Sequence, residues 1–246
     1  METGFISSIE TMGLVDGPGI RYVVFMSGCA LRCGFCHNPN TWQMQGGMVM
    51  SDEELLRGIK RFMPYFTRSG GGVTFSGGEP LLQPRFLLSM LKRCREAGIH
   101  TCLDTAGVGL GEYDEILKYT DLVLYDVKAT TPRGYRELCE RDISETEAFQ
   151  KALIKWGGPV IVRQVVIPTI NDTPAYMQEL ATYIKQNIPT ARGVELLPYH
   201  KMGVYKYKEL GLVDPMAEIP PMDRDVTNQL LATYFGEWNS RGEENE

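Results

Sequence analysis

Three of the six cysteines stand within one short segment, Cys29-Ala30-Leu31-Arg32-Cys33-Gly34-Phe35-Cys36. Gaps of three and then two residues let a loop wrap three sulfurs around one compact centre. Clustered cysteines in a chain too long to need disulfide staples point to a metal or to chemistry. Structural zinc takes four protein ligands, and His37, next to Cys36, would complete a Cys₃His set. The same three thiols suit a [4Fe–4S] cluster with its fourth iron open, a position at which a metal centre binds substrate. A plain electron-transfer iron–sulfur protein is a third reading. Cys94, Cys102 and Cys139 have no such spacing and read as small buried apolar side chains.

Other reactive groups follow runs of strand-like residues. Ser76-Gly77-Gly78-Glu79 closes one run, and paired glycines let a backbone approach a ligand closely. Asp104 closes another. Asp126 and Lys128, two residues apart, fall on one face of a strand end. Arg163 interrupts an apolar run, where a charge is costly unless paired, so it is expected to face a cavity and an anionic ligand. His200 follows the last run. Ahead of the first stands Asp16-Gly17-Pro18-Gly19-Ile20-Arg21, a tight turn with accessible backbone.

The elements that must position these groups alternate. Strands are predicted at Arg21–Met26, Gly72–Ser76, His100–Asp104, Leu122–Asp126, Val160–Ile167 and Val194–Leu197. Helices are predicted from the N-cap Ser51 to Phe66, then at Pro84–Ala97, Glu112–Tyr119, Glu145–Trp156, Pro174–Asn187 and Met222–Trp238. Alternation of this kind makes right-handed crossovers and a parallel sheet. Six units fall short of the eight of a closed barrel, leaving an open three-quarter barrel or a flat doubly wound sheet. The expectation is an α/β fold of one domain over 1–246, with a C-terminal extension helix from about residue 222. In a parallel barrel, chemistry gathers at the C-terminal ends of the strands.

Composition narrows the function classes. With 25 Lys and Arg against 31 Asp and Glu, the net charge is −6, which disfavours a nucleic-acid partner. No apolar run reaches the roughly 20 residues of a membrane span. Met1 to Phe5 has neither the basic nor the apolar part of a secretory signal. A cytoplasmic protein is expected.

The Cys-x₃-Cys-x₂-Cys spacing, with Phe35 before the last cysteine, resembles the signature of the radical S-adenosylmethionine (SAM) enzymes. That resemblance implies a partial (β/α)₆, three-quarter TIM-like barrel. It implies a [4Fe–4S] cluster on Cys29, Cys33 and Cys36 whose fourth iron chelates SAM, cleaved by one electron to methionine and a 5′-deoxyadenosyl radical. Phe35, Cys36 and His37 would line the cofactor pocket. Gly77, Gly78 and Glu79 would receive the SAM amino group, and Asp104, Asp126 and Lys128 would lie near its carboxylate or ribose. Arg163 and His200 would complete the site, His200 at the ribose or adenine, and Asp104 and Asp126 could share a monovalent cation.

Taken with Asp16–Arg21 and Gly71–Glu79, the chain is similar over residues 4–208 to the glycyl-radical-enzyme activating enzymes, whose substrate is a protein. The resemblance implies hydrogen abstraction from a partner's backbone glycine, with Asp16 and Arg21 facing the glycine-bearing loop. No cysteine lies between Cys36 and Gly71, so there is no inserted ferredoxin-like segment. His100–Thr105, Thr120–Val123 and Glu195–His200 add to the match, while Ala106 stands where the family carries Asn. The implied partner is pyruvate formate-lyase, another glycyl-radical enzyme being the alternative. Flavodoxin or ferredoxin would supply the electron, under anaerobic conditions.

Overall fold

A computed structural model describes residues 1–243, the side chains of 240–243 excepted. The strands are β1 (Thr3–Gly13), β2 (Arg21–Met26), β3 (Met48–Ser51), β4 (Gly72–Gly77), β5 (His100–Thr105), β6 (Leu122–Asp126), β7 (Val160–Val166) and β8 (Ala191–Pro198). The helices are α1 (Asp52–Lys60), α2 (Met63–Ser69), α3 (Pro84–Glu96), α4 (Tyr113–Lys118), α5 (Pro132–Cys139), α6 (Glu147–Trp156), α7 (Pro174–Asn187), α8 (Val204–Glu209) and α9 (Arg224–Glu243). This is the expected α/β fold with mostly parallel strands. All six predicted strands are present, as β2 and β4 to β8.

Four elements were not expected: β1, β3, α5 and α8. The helix predicted from Ser51 to Phe66 is two helices. Its break falls at Arg61 and Phe62, just ahead of Pro64, which lacks the N–H that a continuous helix needs and sits in the first turn of α2.

The chain forms two compact units. The first takes Met1–Ala30, Asn40–Leu124 and Glu145–Gly158; the second takes Leu31–Pro39, Tyr125–Ser144 and the chain from Pro159 on. β6 is the strand along which the chain passes from the first to the second.

In the first unit the strand order is β3-β1-β2-β4-β5. β2, β4 and β5 are parallel, with Arg21 level with Gly72 and Gly72 level with His100. β1 and β3 add antiparallel strands at the β2 side. α3 buries Phe86, Leu87, Met90, Leu91 and Cys94, a three-to-four-residue stripe along one helix face. α1 buries Leu55 and Ile59, one turn apart, and opens on a capping box in which Ser51 and Glu54 satisfy each other's backbone N–H groups. Ser51→Ala should therefore cost about 1 kcal/mol, read as a fall of roughly 2–4 °C in the melting temperature.

In the second unit β7 and β8 pair in parallel, Arg163 level with Glu195. One face of β7 carries Val160, Val162, Gln164 and Val166, all buried. Tyr176 of α7 donates to Gln164 Oε1 at 3.4 Å, so α7 covers that face. Ile161, Arg163 and Val165 therefore project from the other face. α9 packs along β8, with Asn239 Oδ1 accepting from Val194 N at 3.2 Å. Among the described residues, no helix is long and apolar enough to cross a membrane.

Candidate functional site

In the first unit the chemistry collects where β2, β4 and β5 end. Met26 is level with Gly77, and Phe75 with Leu103, so Ser76 to Glu79 and Asp104 leave the sheet side by side. Ser76 Oγ donates to Asp104 Oδ2 at 2.7 Å. Gly77 has φ +117°, a left-handed conformation that L side chains rarely adopt. Gly78 lies against the backbone that leads into the cysteine segment: a Cβ there would come closer than 3.0 Å to the Gly28 carbonyl. The same carbonyl accepts from Glu79 N at 2.7 Å, while Gly28 N and Cys29 N donate to Thr41 O and Trp42 O at 2.7 and 3.2 Å. The paired glycines are thus a contact surface for the peptide before Cys29.

Glu79 is placed differently from the expectation that it would receive an amino group. Its side chain is 1% exposed, and its carboxylate accepts from Leu81 N at 3.1 Å, Thr105 Oγ1 at 2.5 Å and Ala106 N at 2.9 Å. It ties the loop after β4 to the loop after β5. Position 106 contributes its backbone N–H to that tie, so Ala serves there as well as another residue.

Arg21 departs further. The expectation that it faces a partner's loop does not fit a side chain with 0% exposure. It opens β2, at the end of the strand opposite to Ser76 and Asp104, about 13 Å away at the strand rise. Its guanidinium donates to Thr74 Oγ1 at 2.9 Å and to the Val73 carbonyl, and lies 3.2 Å from His100 Nδ1. Burial lowers its pKa, yet arginine stays charged. Asp16 is half-buried, and its carbonyl accepts from Thr74 Oγ1 at 2.7 Å; Leu14 and Val15 beside it are exposed.

In the second unit the cysteine loop is held by its own backbone. Cys36 N donates to Cys33 O at 3.0 Å, turning the loop. Arg32 N and Gly34 N donate to Cys139 O and Leu138 O, both at 2.9 Å, so the peptides on either side of Cys33 are fastened to the end of α5. Tyr207 of α8 donates to Cys36 O at 3.0 Å, and Lys206 to Asn38 Oδ1 at 2.7 Å. Cys139, Lys206 and Tyr207 were not expected at the site; the Tyr/Lys-rich stretch around 205–208 was the only visible signal for the last two.

Lys128 bonds Asp126 at 2.6 Å and stands 5.6 Å from the centre of the Phe35 ring. Burial opposes its charge, but Asp126 and the neighbouring Cys33 sulfur hold its pKa well above the ordinary lysine value. The Cys33 thiol is raised well above its usual range, first by its hydrogen bond to Cys139 and then by burial. Asp126 thus has a cation of its own in Lys128, and Asp104 has the Ser76 hydroxyl. Arg163, 6% exposed, is paired with Glu195 at 2.8 Å, so a counter-charge of the chain itself accounts for its burial.

His37 stacks on His200, ring centres 3.8 Å apart and planes 12° from parallel. Its Nε2 donates to the His200 carbonyl at 2.9 Å. Burial and the facing His200 ring bring the His37 pKa down to about 4, and burial lowers that of His200. His37 is therefore neutral near pH 7, with its Nε2 proton held by the His200 carbonyl. Among the described residues, no group of three His, Cys, Asp or Glu side chains converges on a single metal-ion position.

Comparison with known proteins gives a consistent result. A family model described as "4Fe-4S single cluster domain" matches residues 15–137. A pyruvate formate-lyase-activating enzyme from Clostridium pasteurianum is 52% identical over 230 residues, covering 94% of this chain and 96% of that one. Among solved structures, a domain of a pyruvate-formate lyase-activating enzyme from Bacteroides vulgatus is 25% identical, with a TM-score of 0.53 over 69% of this chain and 96% of that one. A radical SAM methyltransferase from Sphaerobacter thermophilus, 18% identical, shares the fold with a TM-score of 0.61 over 90% of this chain and 64% of that one.

Proposed function

This chain belongs to the pyruvate formate-lyase-activating enzymes, and from that premise we propose that it places a radical on a backbone glycine of pyruvate formate-lyase, using a [4Fe–4S] cluster and SAM. The observation that carries the reading is the cysteine loop. Cys29, Cys33 and Cys36 lie in no disulfide, and the loop from Arg32 to Cys36 is fastened through its backbone. The donor set fits a cluster: three sulfurs carry three irons, and the Lys128 ammonium beside Cys33 offsets the negative charge of thiolate ligands.

When bound and reduced, the cluster and SAM supply a 5′-deoxyadenosyl radical that takes the glycine hydrogen. The chain's own residues position and enclose. Gly77 and Gly78 offer backbone to the SAM amino group, with Glu79 fixing the loop that carries them. Lys128 and Asp126 present a paired charge toward the SAM carboxylate or ribose, over the Phe35 ring. The stacked His37 and His200 rings wall the pocket at the adenosine, and Arg163, paired with Glu195, completes the site at β7. Asp16, beside exposed Leu14 and Val15, receives the partner's loop. A primary carbon radical reacts with any C–H or S–H it meets, so these groups must hold the reacting atoms together and exclude water.

Cleaving a sulfonium needs a potential near the low end of the iron–sulfur range, about −700 to +450 mV overall. Flavodoxin or ferredoxin, in an anaerobic cytoplasm, is the donor that meets this. The test is anaerobic reconstitution with iron and sulfide, followed by dithionite, SAM and purified pyruvate formate-lyase. A glycyl-radical doublet by electron paramagnetic resonance is expected, and none with Cys33→Ala. Cleavage of SAM without a doublet would keep the chemistry and reject the partner. A colourless chain that retains zinc and leaves SAM intact would overturn the whole reading.

A further inference from the structure

Cys139 has no part in the activity proposed above, yet its sulfur lies 3.5 Å from that of Cys33. The closeness is built into the backbone, because the residues before and after Cys33 are hydrogen-bonded to Cys139 and Leu138 at the end of α5. Cys139 is fully buried and Cys33 is 7% exposed, so Cys33 is the one of the two that a small oxidant reaches first. A disulfide needs sulfurs about 2.05 Å apart. Two sulfurs in van der Waals contact on tethered segments reach that by a small rotation about their side-chain bonds.

We propose that Cys33 and Cys139 form a reversible protective disulfide when the chain lacks its cluster and meets a peroxide. The Cys33 sulfur attacks one peroxide oxygen, breaking the O–O bond and giving a sulfenic acid and one water. The Cys139 sulfur then displaces the sulfenic oxygen as a second water and closes the S–S bond. Two thiols lose two electrons and two protons, and one hydrogen peroxide becomes two waters. The bond stops Cys33 from climbing to sulfinic and sulfonic acids, which reduction does not restore. A dithiol reductant reopens it and returns Cys33 for cluster assembly. The chemistry is independent of the cluster assignment; its protective value rests on that assignment.

The test uses the full chain stripped of metal, treated anaerobically with a small excess of hydrogen peroxide, alkylated and digested without reductant. Mass spectrometry is expected to find the Cys33 and Cys139 peptides joined, lighter by two hydrogens than their sum. After dithiothreitol, oxidised wild type should regain most of its capacity for iron and sulfide, while oxidised Cys139→Ala and Cys139→Ser recover several-fold less. Links confined to Cys29, Cys33 and Cys36, or equal recovery with and without Cys139, would overturn the proposal. Should reduced, unoxidised wild type take up no cluster, the functional reading falls and the peptide map still decides the disulfide.

Discussion

Gly78→Ala is expected to lower glycyl-radical formation by at least ~100-fold, because displacing a reacting group by about 1 Å costs that much. The added methyl would overlap the Gly28 carbonyl and press on Thr41 O, and both are backbone atoms with no rotamer to escape into. Either the loop after β4 withdraws or the Met26–Cys29 segment shifts. The first removes the backbone offered to SAM; the second moves Cys29 and breaks the Glu79 N to Gly28 O bond. Iron content and SAM affinity by equilibrium dialysis separate the two routes, since only the second lowers iron uptake. Gly236→Ala is the control, as its position in α9 is open and Ala favours a helix. Wild-type spin counts in Gly78→Ala would sink the account of the paired glycines.

Arg21→Met should unfold early and otherwise behave normally. The substitution removes a buried guanidinium and strands the Val73 carbonyl, the Thr74 hydroxyl and His100 Nδ1 without their donor. A loss of about 3 kcal/mol follows, seen as a fall of roughly 6–12 °C in melting temperature. Activation per folded molecule, assayed well below that transition, should hold. A partner-docking arginine would give the reverse pattern: an unchanged melting temperature and a raised KM for pyruvate formate-lyase. The reverse pattern would restore the role that its neighbourhood to Asp16 suggests.

Arg21 also shows where sequence reading stops. The motif Asp16–Arg21 reads as one functional patch because its residues are adjacent. Yet Arg21 opens its strand, so it belongs to the end away from the C-terminal chemistry, and the next layer of side chains closes over it. The parallel strands were legible because Val23-Val24-Phe25 and Val160-Ile161-Val162, buried or half-buried residue by residue, read as continuous apolar runs. β1 was not, since Ser7, Ser8, Glu10 and Thr11 leave much of that outer strand polar and exposed. β3 has only four residues, below the length at which alternation can be recognised. α5 carries a helix start in its N-cap Thr131 and Pro132, but its eight residues sit in a polar stretch.

Within the site, the cysteine spacing, the Gly-Gly pair and the Asp126–Lys128 pair were legible because each depends on residues close in the chain. Arg163 with Glu195, Cys33 with Cys139 and Glu79 with Ala106 were not, being separated by 32, 106 and 27 residues. Register between distant strands and the docking of a short helix decide those pairs. Neither leaves a mark at the residues concerned. Glu79 illustrates the point: its place in a known motif suggests ligand contact, while its partners show a carboxylate used to join two loops.

Leu31–Pro39 is flanked in sequence by the first unit but belongs to the second. Its supports are Leu138 and Cys139, then His200, and last Tyr207, which is 171 residues beyond Cys36. During translation Cys33 and Cys36 leave the ribosome long before Leu138, Cys139, His200 and Tyr207, which shape their stretch of the loop. Iron inserted at that stage would meet a flexible peptide with no pocket. Metallation is therefore an event of the finished chain, and pulse-labelled protein should acquire iron only after release from the ribosome.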